Sequence, residues 1–199
     1  MVCNDLAIAN SSMGRYKEVS GNLDHVGRGG RLYFARVSCG HLREGLRGIQ
    51  DIRGHRSLRA LVESCTEGAQ TAFADLCECL DGGKEHDDFK RCIGSVRNKV
   101  SFHYDEDGIE WALKCRAQGS NSGTSSMIAG EDIHSTRFEF ADDLVDTLVC
   151  RKFWGIPADV DLRAEADRIA DWCFRKTLRF LEFGQDFVPR YLEKHGILQ

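Results

Sequence analysis

The sequence predicts an all-α bundle of five to seven helices. Only two prolines occur in 199 residues, at positions 157 and 189, and proline breaks helix interiors. Apolar residues recur at spacings of three and four through several long segments, the period of one helix face. Hydrophobic residues make up 42 % of the chain and charged residues 29 %, the balance of an ordinary globular protein long enough for a sizeable core.

The elements follow in order. Residues 1–30 are weakly patterned, and Gly27-Arg28-Gly29-Gly30 closes them. No strand precedes these glycines, so they read as a connector rather than a phosphate loop. Residues 31–50 carry the cleanest helical period, with Leu32, Ala35, Cys39, Leu42, Leu46 and Ile49 on one stripe and Arg36, Gly40, Arg43 and Arg47 on another. Gly40, Gly45 and Gly48 lower helix propensity but allow a neighbouring helix to come close. The sustained seven-residue period predicts a long bundle helix.

A second helix is expected over 58–80, with Ser57 as N-cap and Asp81-Gly82-Gly83 as the stop. A third is expected over 85–100, with Phe89, Cys92, Ile93, Val96 and Val100 apolar. Residues 105–118 read as a turn and a short helix, Gly119 to Gly130 as a Ser/Gly-rich loop, and Arg137 to Phe140 as a short strand. A helix over 141–153 opens on Asp142 and Asp143, suited to the positive end of a helix dipole, and stops at Gly155-Ile156-Pro157. The last long helix covers 160–183, and Gly184 and Pro189 set off a short terminal one.

Nine cysteines are scattered along the chain. The start lacks a basic stretch followed by an apolar run, and no apolar run approaches ~18 residues. The expectation is free thiols in a reducing cytoplasm and no membrane span, with many cysteines packing as small hydrophobes. Cys77-x-Cys79 with His86 and Cys92 matches no standard zinc spacing. Asp105-x-Asp107-Gly108 lacks the distal acidic ligand of a calcium loop and reads as a turn. His41 and Glu44, one turn apart, read as a surface pair. No metal or other cofactor is expected.

The net charge of −4 does not by itself indicate nucleic acid, but its distribution is uneven. Residues 1–100 hold 15 basic against 13 acidic residues, and residues 101–199 hold 12 against 18. Arg28, Arg31, Arg36, Arg43, Arg47, Arg53, Arg56 and Arg59 fall within one span. Such a cluster is either an RNA-facing patch or a solvated helix face.

The stretch Ile93-Gly-Ser-Val-Arg97-Asn98-Lys99-Val-Ser-Phe-His103-Tyr104-Asp105 concentrates the chemistry. Arginine is a permanent cation matched to phosphate oxygens, and histidine exchanges a proton near neutral pH. Arg97, Asn98 and His103, with five residues between arginine and histidine, resemble the signature of the HEPN family, within the spacing that family allows. Leu42-Arg43-Glu44-Gly45 on an earlier helix and the run "RNKVSFHYDE" are similar to HEPN branches of phage defence and toxin–antitoxin pairs. The resemblance covers roughly residues 30–115. It implies a single HEPN-like domain over 1–199, with a core at about 30–118 and a C-terminal helical extension at about 140–199.

A helix turns about 100° per residue, so Arg97 and His103 on one ideal helix would diverge by about 120°. Either the helix ends near Ser101 and frees His103, or two copies of the segment face each other. The resemblance implies the second arrangement, a homodimer with both copies in one cleft. It further implies a metal-independent endoribonuclease using the substrate's own 2′-hydroxyl. His103 acts as general acid–base, Arg97 neutralises phosphoryl charge, and Asn98 orients the phosphate or the histidine. Lys99, Tyr104, Arg43 and Glu44 are candidate substrate contacts. A packed ring is the competing role for Tyr104, and an exposed ion pair for Arg43 and Glu44. Some HEPN toxins carry His-x-Tyr; here Tyr104 comes one position early. The expected partners are RNA, a second copy of the chain and a cognate antitoxin. The alternative functions are a non-catalytic HEPN-like dimer binding RNA, a nucleotide or a protein, and a plain scaffold bundle.

Overall fold

The computed structural model describes residues 1–17, 24–94, 106–118, 127–128, 137–157 and 159–197. Among them are eight α-helices: α1 (Val2–Lys17), α2 (Asp24–Gly54), α3 (Arg56–Glu63), α4 (Glu67–Cys77), α5 (His86–Phe89), α6 (Glu106–Gln118), α7 (Glu139–Thr147) and α8 (Leu162–Lys194). Two π-helical segments continue α5 and α7, π1 (Lys90–Gly94) and π2 (Leu148–Phe153). A ribbon of β1 (Met127–Ile128) and β2 (Arg137–Phe138) pairs antiparallel, Met127 opposite Phe138. The architecture is all-helical apart from this ribbon. The count exceeds the expected five to seven because α1 was not foreseen and the predicted 58–80 helix is two, while the last two predicted helices are one, α8.

α2 is the spine. Cys39, Leu42, Leu46 and Ile49 form its fully buried stripe, and α1, α4 and α8 pack around it. Each such buried Leu or Ile contributes about 1.5–3 kcal/mol of transfer free energy. The helix starts at Asp24, so Gly27–Gly30 is helical rather than a connector. Packing against α1, whose Leu6 and Ala9 are buried, outweighs a glycine cost of about 1 kcal/mol per residue. α1 escaped notice because polar Asn4, Asn10, Ser11 and Ser12 dilute its apolar face.

Gly45 is a point of close approach on α2. A Cβ on Gly45 would lie 2.6 Å from Phe180 Cε2, whereas Gly48 faces open space. Gly184 makes a second such contact: its Cβ would meet Cys3 Sγ at 2.6 Å. Gly184 therefore lies inside α8 at a helix crossing and does not separate two helices. Pro189 does not end α8 either. It sits on the exposed face, where the carbonyl that its missing N–H leaves unbonded can reach water.

The predicted 58–80 helix divides at Ser64-Cys65-Thr66 into α3 and α4. Thr66 caps α4 by accepting from Ala69 N, and its own N–H donates to Asp186 Oδ2 of α8 at 2.6 Å. The N-cap of α3 is His55, not Ser57, and it makes no side-chain cap bond. The two helices still share one apolar face, since Leu61, Val62, Cys65, Ala69, Ala72 and Leu76 are all buried.

α8 packs on α1, α2 and α4, and one core runs from Leu6 to Phe187 with Trp154 and Phe89 inside it. All nine cysteines are free thiols. Cys39 Sγ donates to Cys173 Sγ at 3.8 Å, joining α2 to α8. No helix among the described residues is long and apolar enough to cross a membrane.

Candidate functional site

Arg97, Asn98, Lys99, His103 and Tyr104 lie outside the described residues, between Gly94 of π1 and Glu106 of α6. What the described residues define is the approach to that segment. Two groups of side chains fix the chain from Glu85 to Gly94.

The nearer group joins the two π-helical segments. Phe89, Cys92 and Ile93 are buried, which seats π1 in the core. A π turn widens the hydrogen-bond ring and takes backbone groups off the α ladder, so buried carbonyls need other donors. Trp154, which follows π2, supplies one: its Nε1–H donates to Cys92 O at 3.0 Å. Arg91 returns the contact, donating from NH1 to Trp154 O at 2.8 Å and from NH2 to Asp88 Oδ1 at 2.8 Å. The hydrogen bond to Asp88 holds the Arg91 guanidinium further toward its charged form. Burial pushes the Cys92 thiol up to about 11, so it stays protonated and packs as a hydrophobe.

The farther group centres on Lys176 of α8, whose side chain is 4 % exposed. Its Nζ lies 2.7 Å from Glu85 Oε2 and 3.0 Å from Asp75 Oδ1 of α4. Trp172 Nε1–H donates to the same Glu85 oxygen at 3.1 Å, and the Cys79 thiol donates to it at 3.9 Å. Burial alone would lower the Lys176 pKa. The hydrogen bonds to Glu85 and Asp75 outweigh it and hold the ammonium above its ordinary 10.5. A lysine held charged in this way is an anchor, not a nucleophile. Burial pushes the neighbouring Cys79 thiol up to about 12.

Arg43 and Glu44 lie on α2. The Arg43 guanidinium sits over the Phe89 ring, 5.5 Å from its centroid, at the foot of the helix leading into the Arg97 segment. Glu44 Oε2 accepts from Arg47 NH1 at 2.9 Å. The Arg43–Glu44 ion pair, the alternative to their role as substrate contacts, does not form: Arg43 makes a cation–π contact and Glu44 an i,i+3 ion pair. His41 Nδ1 lies 3.6 Å from Asp5 Oδ2 of α1.

The residues weighed as a zinc site do not converge. His86 Nδ1 meets Cys79 O at 3.1 Å, and its Nε2 stands 2.7 Å from Asp81 Oδ1 without the alignment of a hydrogen bond. Among the described residues no group of three His, Cys, Asp or Glu side chains is placed to hold a metal ion. Asp107 and Gly108 lie in the first turn of α6, and Asp105 lies outside the described residues. A shallow depression of about 180 Å³ between α6 and α7 is lined by Ile109, Ala141, Leu144, Val145 and Leu148. Nothing in that lining suits a phosphodiester.

No protein-family model, curated protein or solved structure matches the chain.

Three contributors were missed in the sequence. Lys176 had a readable signal, a charged residue on the stripe of Ile169, Cys173 and Phe180, where a cation requires buried acids. Glu85 had none, because its partner lies on α8. Trp154 sat just beyond a predicted helix end, and nothing local shows that its indole meets a carbonyl of π1.

Proposed function

We propose that this chain is a metal-independent endoribonuclease of HEPN type, acting as a cytoplasmic homodimer in a toxin or phage-defence role with a cognate antitoxin. The observation that carries this reading is the sequence Arg97-Asn98 followed by His103, in a segment entered from a buried π turn of an all-helical chain. Nine free thiols suit a reducing compartment.

In this reading His103 of one copy removes the 2′-hydroxyl proton of the RNA, and the 2′-oxygen attacks the adjacent phosphorus. The bond to the 5′-oxygen breaks, and that oxygen takes a proton from the second His103 or from water. The products are a 2′,3′-cyclic phosphate and a 5′-hydroxyl end. Arg97 balances the charge gathering on the phosphoryl oxygens, and Asn98 orients the phosphate. DNA is spared because it lacks the 2′-hydroxyl.

The test is cleavage of single-stranded RNA by purified protein in EDTA. His103→Ala is expected to lower the rate by about 10²-fold or more, and a 2′-deoxy nucleotide at the cleaved position should block the cut. Equal cleavage by the wild type and His103→Ala would assign the activity to a contaminant and end this reading.

A further inference from the structure

Most arginines in the described part of the chain already have work. Arg47, Arg168, Arg179 and Arg190 pair with carboxylates one turn away. Arg91 and Arg151 donate to backbone carbonyls, Arg116 pairs with Asp143, and Arg36 and Arg43 lie over the Tyr33 and Phe89 rings. Arg175 of α8 is exposed and makes no ion pair or hydrogen bond among the described residues, but the corner between α2 and α3 gathers several such groups. Arg53, His55, Arg56 and Arg59 are all exposed. Arg53 donates only to Asp81 O, at 3.3 Å, and Arg56 and Arg59 make no ion pair or hydrogen bond among the described residues. Glu63 stands four residues after Arg59, yet the two do not pair, consistent with the weaker acid-after-base order on a helix.

We propose that this corner, through Arg53, Arg56 and Arg59, grips the phosphate backbone of single-stranded RNA. The inference rests on the reading of the chain as an RNA-acting protein for its choice of polyanion. Arg56 and Arg59 are one turn apart, with Cβ atoms roughly 5–6 Å from each other, so two guanidinium forks can meet successive phosphates of one strand. The bond from Arg53 to Asp81 fastens the corner to the turn that precedes α5 and π1, the stretch of chain that runs on to Arg97. Of the eight-arginine cluster of the sequence, Arg36, Arg43 and Arg47 are engaged within the fold, the side chains of Arg28 and Arg31 lie outside the described residues, and the phosphate-binding role falls to the three at the corner. Contacts of this kind position a strand without reading its bases.

The test uses full-length His103→Ala protein, so that the RNA survives, and the fluorescence anisotropy of a short labelled single-stranded RNA across a salt series. Arg56→Gln/Arg59→Gln should weaken binding on the order of tenfold and reduce the log–log salt slope by about 1.4, two contacts at about 0.7 each. Arg56→Lys/Arg59→Lys should restore most of the slope, and Arg47→Gln should leave binding unchanged. Unchanged affinity and slope in the Gln variant would overturn the proposal, as would RNA binding too weak to detect. Tighter binding to anionic vesicles or to an acidic peptide than to RNA would overturn it too. Failure of the nuclease reading is separable: the unmutated protein would leave RNA intact while the corner variants still lose binding. Failure of the corner alone would leave both cleavage and RNA binding untouched by Arg56→Gln/Arg59→Gln.

Discussion

The chain from Glu85 to Gly94 is secured at both ends, and the two ends differ in kind. At Glu85 the anchor is ionic: one buried ammonium, two carboxylates from separate elements, an indole and a thiol. At Cys92 the anchor ends in backbone carbonyls, with Trp154 and Arg91 serving as donors. The difference lies in what each leaves behind when cut. Removing Lys176 strands two carboxylates that form no other ion pair among the described residues, whereas removing the Trp154 indole strands one neutral carbonyl. The ionic anchor should therefore govern global stability, and the carbonyl anchor should govern the local order of π1.

The largest effect is expected from Lys176→Met. Breaking a buried pair costs about 3–5 kcal/mol. Asp75 and Glu85 each retain about a third of their exposure, so the lower end, about 3 kcal/mol, is expected in urea unfolding. Glu85→Gln on the Lys176→Met background should recover part of it, and a loss under about 1 kcal/mol would class the network with surface pairs. The sign with pH follows from the raised folded-state value of Lys176. Its contribution is complete below the ordinary 10.5 and fades as pH rises through the higher folded value. A wild-type stability loss above that pH, absent in Lys176→Met, checks the direction.

Trp154→Phe should come next, at about 1–2 kcal/mol for an unsatisfied buried carbonyl. Hydrogen exchange sharpens the contrast. Amides of Lys90–Gly94 should exchange faster while those of α4 and α8 keep their protection. Uniform loss of protection would merge the two anchors into one cooperative unit.

Asp186→Asn should be the smallest and sets the floor for the comparison. The Thr66 backbone N–H and Arg190 hold the Asp186 carboxyl below its ordinary 3.8. Its contribution is present above that value and is lost as pH falls through the lower folded one. The variant should therefore flatten the acid arm of the stability profile and leave the neutral region nearly unchanged.

Much of the fold was legible because helical period reports burial directly. The stripe from Cys39 to Ile49 and that from Leu61 to Leu76 are buried as the spacing required. What failed was punctuation. Gly27–Gly30, Gly184 and Pro189 are local stop signals, yet the helices continue through them, because contact with another helix or access to water offsets the local penalty. The break at Ser64-Cys65-Thr66 went unseen for the converse reason: Thr66 caps α4 with help from Asp186, which is remote in sequence. At the site, sequence supplied Arg97, Asn98 and His103 as a constellation of chemical types. It gave no view of the carbonyl on π1 that Trp154 satisfies, since that pairing exists only after two distant π turns meet.

The contact at Gly45 has a consequence for how this sequence can change. The edge of the Phe180 ring fills the space that a Cβ at position 45 would take, so positions 45 and 180 are not independent letters. A lineage that enlarges the first must trim the second in step: enlargement alone would push the spine helix from α8, and trimming alone would leave a void between them.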